Sequence, residues 1–316
     1  MEQENCFAVP LVSDVNREVY ARKIVLATGI QGSGEWTVPE HIKKNIPKDY
    51  YYQTSEMIDF AKITGKKVGI LGGGPCAFDN ALQCCEHGAR EVHLFFKKPK
   101  LVNLHVFLWG EYSGFLKNFP SLPDQDKWRL IAKMIEIGQP PTPQGFAAIN
   151  SKKNVFKHFT SPWLDSKMLH EHPTVITPEG EISLDLLIIA IGWNVNLSLR
   201  EELKAFHHQI ALWSDRFVAP PHQHYDMLLN SPYLGKGSNF QEKIPGTAPY
   251  LNAIFNCTGG AFLSTGFNAG TGLTGMKYSI KSVVQEITNQ LFLDNIDYFY
   301  QSLATYHDYI FDNSTN

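Results

Sequence analysis

The chain has 316 residues, 43% hydrophobic and 19% charged, enough to bury a large core in about two domains. Its 28 basic and 31 acidic residues leave a net charge of −3, which excludes electrostatic attraction to nucleic acid or to an anionic membrane surface. The N-terminus shows neither a basic nor an apolar signal region, and the longest apolar run, residues 184–192, is far too short to span a bilayer.

In chain order, residues 7–12 predict a strand, Ser13 to Asn16 a turn, and residues 19–26 the return strand, which ends in Ala27-Thr28-Gly29. Residues 30–65 form a connector rich in Gly, Pro and Tyr, with a short helical piece over 55–62. Next comes the most informative stretch. The apolar strand Lys66-Lys67-Val68-Gly69-Ile70-Leu71 runs into Gly72-Gly73-Gly74-Pro75-Cys76-Ala77, a helix over 76–87 closed by Gly88, and a second strand over 91–96.

This is a strand–turn–helix–strand unit with G-x-G-x-x-A in its first turn, the pattern of a dinucleotide phosphate site. Gly72 permits the tight turn, Gly74 lets backbone approach a pyrophosphate, and Ala77 lets the helix pack close to the strand. Pro75 suits the first helical turn, and the free N–H groups there favour an anion. The bland alternative is a glycine turn that only shapes the chain. Lys97-Lys98 stands at the end of the second strand, where an acidic residue would favour NAD through the ribose hydroxyls. Two cations suit a 2′-phosphate and point to NADP; the alternative is a solvated lysine pair.

An aromatic-rich segment with Phe107, Trp109, Tyr112, Phe115 and Phe119 precedes a helix over 124–137, which stops at Gly138 and a proline run. These aromatics read as ordinary core sooner than as a substrate pocket. Strands follow at 174–177 and 184–191, the second meeting Gly192, and residues 193–250 are largely irregular. The chain ends with a strand over 253–257, a loop holding Gly259, Gly260, Gly266, Gly270, Gly272 and Gly275, and a helix over 276–291. That helix carries Ile280, Val283, Val284, Ile287 and Leu291 on one face.

Five cysteines, an odd count without C-x-x-C, read as small buried thiols in a reducing cytoplasm rather than a disulfide framework or a dithiol reductase. His170, His172, His222 and His224 lack metal-site spacing and read as loop histidines, so no metal is expected. Neither a nucleophile elbow nor a catalytic triad is present.

The order strand-A-T-G, connector, G-x-G-x-x-A unit, strand-A-I-G, glycine-rich loop and helix resembles the two-dinucleotide FAD/NAD(P)H flavoprotein oxidoreductases. Residues 68–81, with Trp213-Ser-Asp215-Arg216, Ser231-Pro-Tyr-Leu-Gly235 and Pro245-Gly-Thr-Ala-Pro249, are similar to flavoproteins related to flavin-containing and Baeyer–Villiger monooxygenases. The resemblance implies a Rossmann-like α/β fold with two dinucleotide-binding domains. Residues 1–64 would give part of an FAD-type domain and the connector, 65–192 the NAD(P) domain, and 193–316 an irregular segment and the return to the FAD-type domain. It implies that Gly72, Gly74, Pro75, Cys76 and Ala77 hold the NADPH pyrophosphate and that Lys97 and Lys98 take the 2′-phosphate. Thr28 and Gly29 would line the flavin domain, and the loop with Gly272 would face the flavin. An NADPH-dependent oxidoreductase of monooxygenase type, acting on a small molecule, is the expected activity.

Two departures from the family pattern shape the expectation. Gln53 stands where the monooxygenase fingerprint has a histidine, and glutamine does not titrate. Few residues precede Ala27 and none forms an FAD-binding G-x-G-x-x-G, so the flavin domain is expected to be incomplete at its N-terminus. The alternatives are a truncated pseudo-enzyme, or a split subunit that binds NADP but not FAD on its own, with a second chain or oligomer completing the domain. Apolar surface would then be exposed on residues 1–30 and 251–292.

Overall fold

A twisted sheet of five parallel strands organises the centre of the protein. The computed structural model describes residues 6–11, 17–267 and 272–308. The strands are β1 (Tyr51–Gln53), β2 (Lys67–Leu71), β3 (Glu91–Phe95), β4 (Val155–His158) and β5 (Leu186–Ile189), in the spatial order β1-β5-β2-β3-β4. Val68 pairs with Leu186 on one side and with Val92 on the other. Alternation sorts the side chains to two faces. Val68, Ile70, Val92, Leu94, Leu186 and Ile188 meet helix α1 (Pro75–Glu86) through Ala77, Phe78, Ala81 and Cys84. Leu71, Phe95, Leu187 and Ile189 face the other way, toward Ile42, Trp163 and Val175. Val175 belongs to a three-stranded antiparallel meander, 165–169, 172–177 and 180–183. With both faces covered, the central strands read as apolar runs, Val68 to Leu71 in β2 and Leu186 to Ile189 in β5.

The chain moves outward from β2 to β3 to β4 and then returns to place β5 on the opposite side of β2. That reversal opens a crevice at the carboxyl ends of the strands, the place where open α/β sheets bind ligands. The sheet also recruits β1 from the connector, in register with β5 at Tyr51 and Leu187. Three residues are too few to carry a strand signal of their own.

A second core forms around helix α2 (Asp124–Ile137), the span that its sequence pattern predicts. Trp128, Ile131 and Met134 pack with Phe115, Phe119, Trp213, Leu228, Leu263 and Phe267. Of the five aromatics in the preceding segment, Phe115 and Phe119 are core, whereas Trp109 and Tyr112 are more than half exposed, at 55% and 53%. The Trp213 indole donates to Ser264 Oγ at 3.0 Å, and the Tyr233 hydroxyl donates to Asp124 at 2.8 Å. Burial first, and that carboxylate second, push the Tyr233 phenol up to about 12.

The flanks of the chain meet in a short parallel pair, 24–26 with 254–256, which puts Val25 beside Phe255. Below it lie Leu197, Ile210, Phe240 and Leu251. The predicted return strand over 19–26 is divided. Residues 17–21 pair antiparallel with 7–11, and after Arg22-Lys23 the chain enters this different sheet. The intervening turn residues, 13–16, lie outside the described residues. Helix α3 (Leu273–Asp294) is longer than its apolar period predicts. Of its predicted apolar face Val283 is buried, while Ile280 and Val284 are 57% and 52% exposed. Val19, Tyr20 and Val25 are likewise about half exposed, so apolar surface is open on both flanks, as expected. No helix among the described residues is long and apolar enough to cross a membrane.

Candidate dinucleotide site

The crevice holds a cavity of about 600 Å³, within the usual range of small-molecule sites. Its rim is built from the loop after each strand: Leu71 to Cys76 after β2, Phe96 to Lys98 after β3, Pro162-Trp163 beyond β4, and Ala190 to Gly192 after β5. The glycine turn, the lysine pair and the A-I-G strand end are far apart in sequence; the sheet gathers them.

The two outer glycines of the turn have different reasons to be glycine. Gly72 has φ 143°, and a Cβ there would overlap the carbonyl oxygen of Ala190 on the neighbouring strand. Its requirement comes from the sheet, besides any ligand. At Gly74, φ is −91° and a Cβ would meet only the Gln139 carbonyl, at 3.8 Å. The protein itself does not need a glycine there, so the free space fits close backbone approach by a pyrophosphate. Gly74 caps α1 without a side chain and Pro75 occupies its first turn, which leaves the positive end of the helix bare toward the cavity. Ala77 is fully buried between helix and sheet. These residues fit the phosphate group that the motif implies.

Lys97 and Lys98 part company. The Lys98 ammonium donates to the backbone carbonyls of Glu136 and Ile137, both at 2.7 Å, at the end of α2. It neutralises the negative end of that helix. Lys97 lines the same cavity, with Lys100 nearby along the rim. The lysine pair read as one anion site is therefore a helix clamp beside a cavity cation.

Thr28, Gly29 and Gly272 lie away from this cavity. Thr28 and Gly29 follow the 24–26 strand, where Thr28 lies close to Gly32 and Thr258. A buried polar knot sits beside them: the Ser33 and Thr258 hydroxyls share a hydrogen bond, and Thr258 donates to Asn256 Oδ1 at 2.7 Å. Gly272 caps the N-terminus of α3. Gly270 of the same loop lies outside the described residues. Gln53 is part of β1, its N–H held by Glu56 at 3.0 Å.

Several cavity residues escape sequence reading. Trp36 and Pro39 come from the connector, and Gln139 follows α2. Asn80, buried on α1, donates to Thr54 Oγ1 at 2.7 Å and to the Cys76 carbonyl at 2.8 Å, tying the connector to the nucleotide helix. No motif marks these positions; only the sheet's order brings them to one rim.

The thiols divide too. Cys84 is buried, its pKa pushed up to about 12 by that burial. Cys6 and Cys76 are exposed, against the expectation of buried thiols, and Cys76 lines the cavity. It occupies the second position of α1. All five cysteines are free, and no group of metal-binding side chains occurs among the described residues. His170 sits at the tip of the meander hairpin with φ 48°. His172 pairs with Asp185 at 3.0 Å.

Beneath the cavity, on the meander side of the sheet, lies a histidine pair. His93 Nδ1 and His158 Nε2 are 2.9 Å apart, and His93 Nε2 is 3.0 Å from Glu91. Phe95 stacks on His158 at 4.6 Å and meets the edge of Trp163 at 5.4 Å. Burial holds both imidazoles below the ordinary histidine range, against the pull of Glu91 on His93.

No family model matches the chain. It is 38% identical over 275 residues, 87% of its length, to an FAD-dependent urate hydroxylase of Xanthomonas campestris pv. campestris, and spans 58% of that relative. Among solved structures it superposes on the ornithine N-hydroxylase of Kutzneria sp. 744 carrying reduced FAD and NADP+ (TM-score 0.65, 12% identity, 91% of this chain and 69% of that one). It also superposes on an FAD-bound cadaverine monooxygenase from Erwinia amylovora (TM-score 0.62, 17% identity, 90% of this chain and 65% of that one). In sequence and in fold, the chain resembles the FAD- and NAD(P)-dependent flavoprotein oxidoreductases, and it has their Rossmann-like, two-dinucleotide-binding-domain architecture.

Proposed function

We propose that the chain serves an NADPH-dependent flavoprotein oxidoreductase of monooxygenase type, acting on a small molecule in the cytoplasm. One observation carries the reading: the glycine turn, the bare helix end and Lys97 converge on one cavity at the sheet's reversal point. Gly74, Cys76 and the start of α1 receive the pyrophosphate, and Lys97 receives the 2′-phosphate. Thr28, Gly29 and Gly272 belong to the flavin side. When bound, NADPH and FAD supply hydride transfer and the reaction with oxygen; the protein supplies binding and orientation. That division accounts for a sequence without a nucleophile elbow or a catalytic triad. The relative's name, a urate hydroxylase, and the diamine and amino-acid monooxygenases among the structural neighbours support the oxygenase reading.

A second reading has the chain bind NADP and take up FAD only with a partner. It is favoured by the short parallel pair 24–26/254–256 with Val25 46% exposed, since so small a sheet is marginal by itself. Calorimetry with NADP+, together with flavin absorbance of the purified chain before and after adding FAD, separates the two. Flavin retention supports the stand-alone oxidoreductase. NADP+ binding without flavin uptake supports the split form, and failure to bind NADP+ overturns both.

A further inference from the structure

Outside the crevice, a small cavity of about 160 Å³ opens between the short helix Ser113–Asn118, the loop at Lys236 and the first turns of α3. It shares no lining residue with the dinucleotide cavity. Tyr278 and Ser282, four apart on one face of α3, line it, across the helix from exposed Ile280 and Val284. The cavity therefore does not belong to the open apolar flank.

Its charge is one-sided. Lys117 and Lys236 line it from two different elements, and among the described residues neither is paired with a carboxylate. The acidic groups around them are already engaged. Asp124 pairs with Lys127 at 3.6 Å and accepts from the Tyr233 hydroxyl at 2.8 Å, and Glu286 accepts from Gln290 at 3.0 Å. Burial first, and Lys236 after it, hold the Lys127 ammonium down against the pull of Asp124. A hydrogen bond with Ser113 first, then Lys277 and Lys117, hold the Tyr278 phenol below the ordinary 10, against desolvation. Like charges gathered at one pocket repel, and an anion between them relieves that repulsion.

Ser238 makes a second, independent case. It has φ 67°, a left-handed conformation that glycine adopts without strain, yet serine stands there. The backbone fixes it: its N–H donates to the Gly235 carbonyl at 2.9 Å, and its carbonyl accepts from the Asn256 N–H at 2.8 Å. The Ser282 hydroxyl ties the same loop to α3 by donating to the Lys236 carbonyl at 2.9 Å. Ser238 is 2% exposed and lines the cavity, and no group among the described residues hydrogen-bonds its hydroxyl. Unlike the Ser161 hydroxyl, this oxygen is not sealed off. A strained serine with an unused hydroxyl, set in the wall of a cationic pocket, fits a ligand that accepts hydrogen bonds.

We propose that this pocket binds a phosphate-sized oxyanion, held by Lys117, Lys236 and the Ser238 hydroxyl. Its volume is below the roughly 300 Å³ at which drug-sized sites begin, so it takes inorganic phosphate or the phosphate end of a small metabolite. The proposal stands independently of the NADP reading.

The test is calorimetric titration of the full chain with inorganic phosphate and with glycerol 3-phosphate, alongside melting curves. Wild type is compared with Ser238→Gly, with the double variant Lys117→Met, Lys236→Met, and with Lys281→Met, whose lysine is on α3 but outside the pocket. Ser238→Gly is expected to lose about 3- to 10-fold in phosphate affinity while melting no lower, since glycine relieves the strain. The double variant should lose at least about tenfold, and Lys281→Met less than about twofold. Tighter binding of inorganic phosphate identifies the free ion as the ligand, and tighter binding of glycerol 3-phosphate identifies a phosphorylated metabolite. Unchanged phosphate affinity in either Ser238→Gly or the double variant overturns the proposal, as does wild-type protein that binds neither probe. Equal losses in Lys281→Met and the double variant show general charge attraction and overturn it too.

Discussion

The Lys98 ammonium is 2.7 Å from the Ile137 carbonyl oxygen, so a lysine that the sequence offers to a phosphate closes a helix instead. Lys97 is left as the cation at the strand end that faces the cavity. Lys97→Glu is expected to reduce NADPH affinity by about 10- to 100-fold relative to NADH, the weight of a lost charge-assisted contact. Lys98→Met should lower stability by about 1 kcal/mol and change the NADPH/NADH ratio less than about threefold. Calorimetry with both nucleotides, plus thermal melts, checks the pair; equal effects of the two substitutions on the ratio would contradict the division of labour.

Gly72 and Gly74 should separate stability from binding. Gly72→Ala forces a side chain against the Ala190 carbonyl at φ 143° and is expected to cost about 2–4 kcal/mol in urea unfolding. Gly74→Ala meets open space at an ordinary φ, so stability should hold within about 1 kcal/mol while NADP+ affinity falls at least about tenfold. A Gly74→Ala protein that binds NADP+ normally would remove the pyrophosphate from this turn.

The His93–His158 pair predicts acid sensitivity in a defined window. Burial lowers both folded pKa values from the ordinary 6.5, so the unfolded chain binds more protons and stability rises with pH through this range. Stability should be level above about pH 7 and fall as pH drops below about 6.5 toward the folded values. Lys67 acts with burial on both rings, whereas Glu91 opposes it at His93 and Glu179 at His158. Glu91, lowered first by its hydrogen bond to His93, loses its contribution only below its own ordinary 4.5. Melts between about pH 8 and about pH 5.5 should show a smaller decline for His158→Phe than for wild type. Parallel curves would show that other groups dominate.

Cys76 should report on occupancy of the cavity. It is exposed at the start of α1, whereas Cys84 is buried with its thiol pushed up to about 12. Maleimide is expected to label Cys76 readily and Cys84 not at all, and NADP+ should slow Cys76 labelling by about the ratio of bound to free protein. Peptide mapping resolves the sites, with exposed Cys6 as the internal control. Slowing at both Cys6 and Cys76 would point to a general effect of the nucleotide.

By itself the sequence determined the β2–α1–β3 unit and the span of α2. Those features depend on local rules: period, caps and turn glycines act within a dozen residues. Only the tertiary structure decided which lysine is free, since Lys98 meets carbonyls 38 and 39 residues away that no local pattern records. It also decided that 17–21 and 24–26 serve different sheets, because strand pairing depends on partners more than two hundred residues distant, such as Phe255 for Val25. Trp36, Thr54 and Trp163 reach the cavity rim by the same long-range pairing. The glycine turn is legible in the sequence; the order of five strands decides what surrounds it.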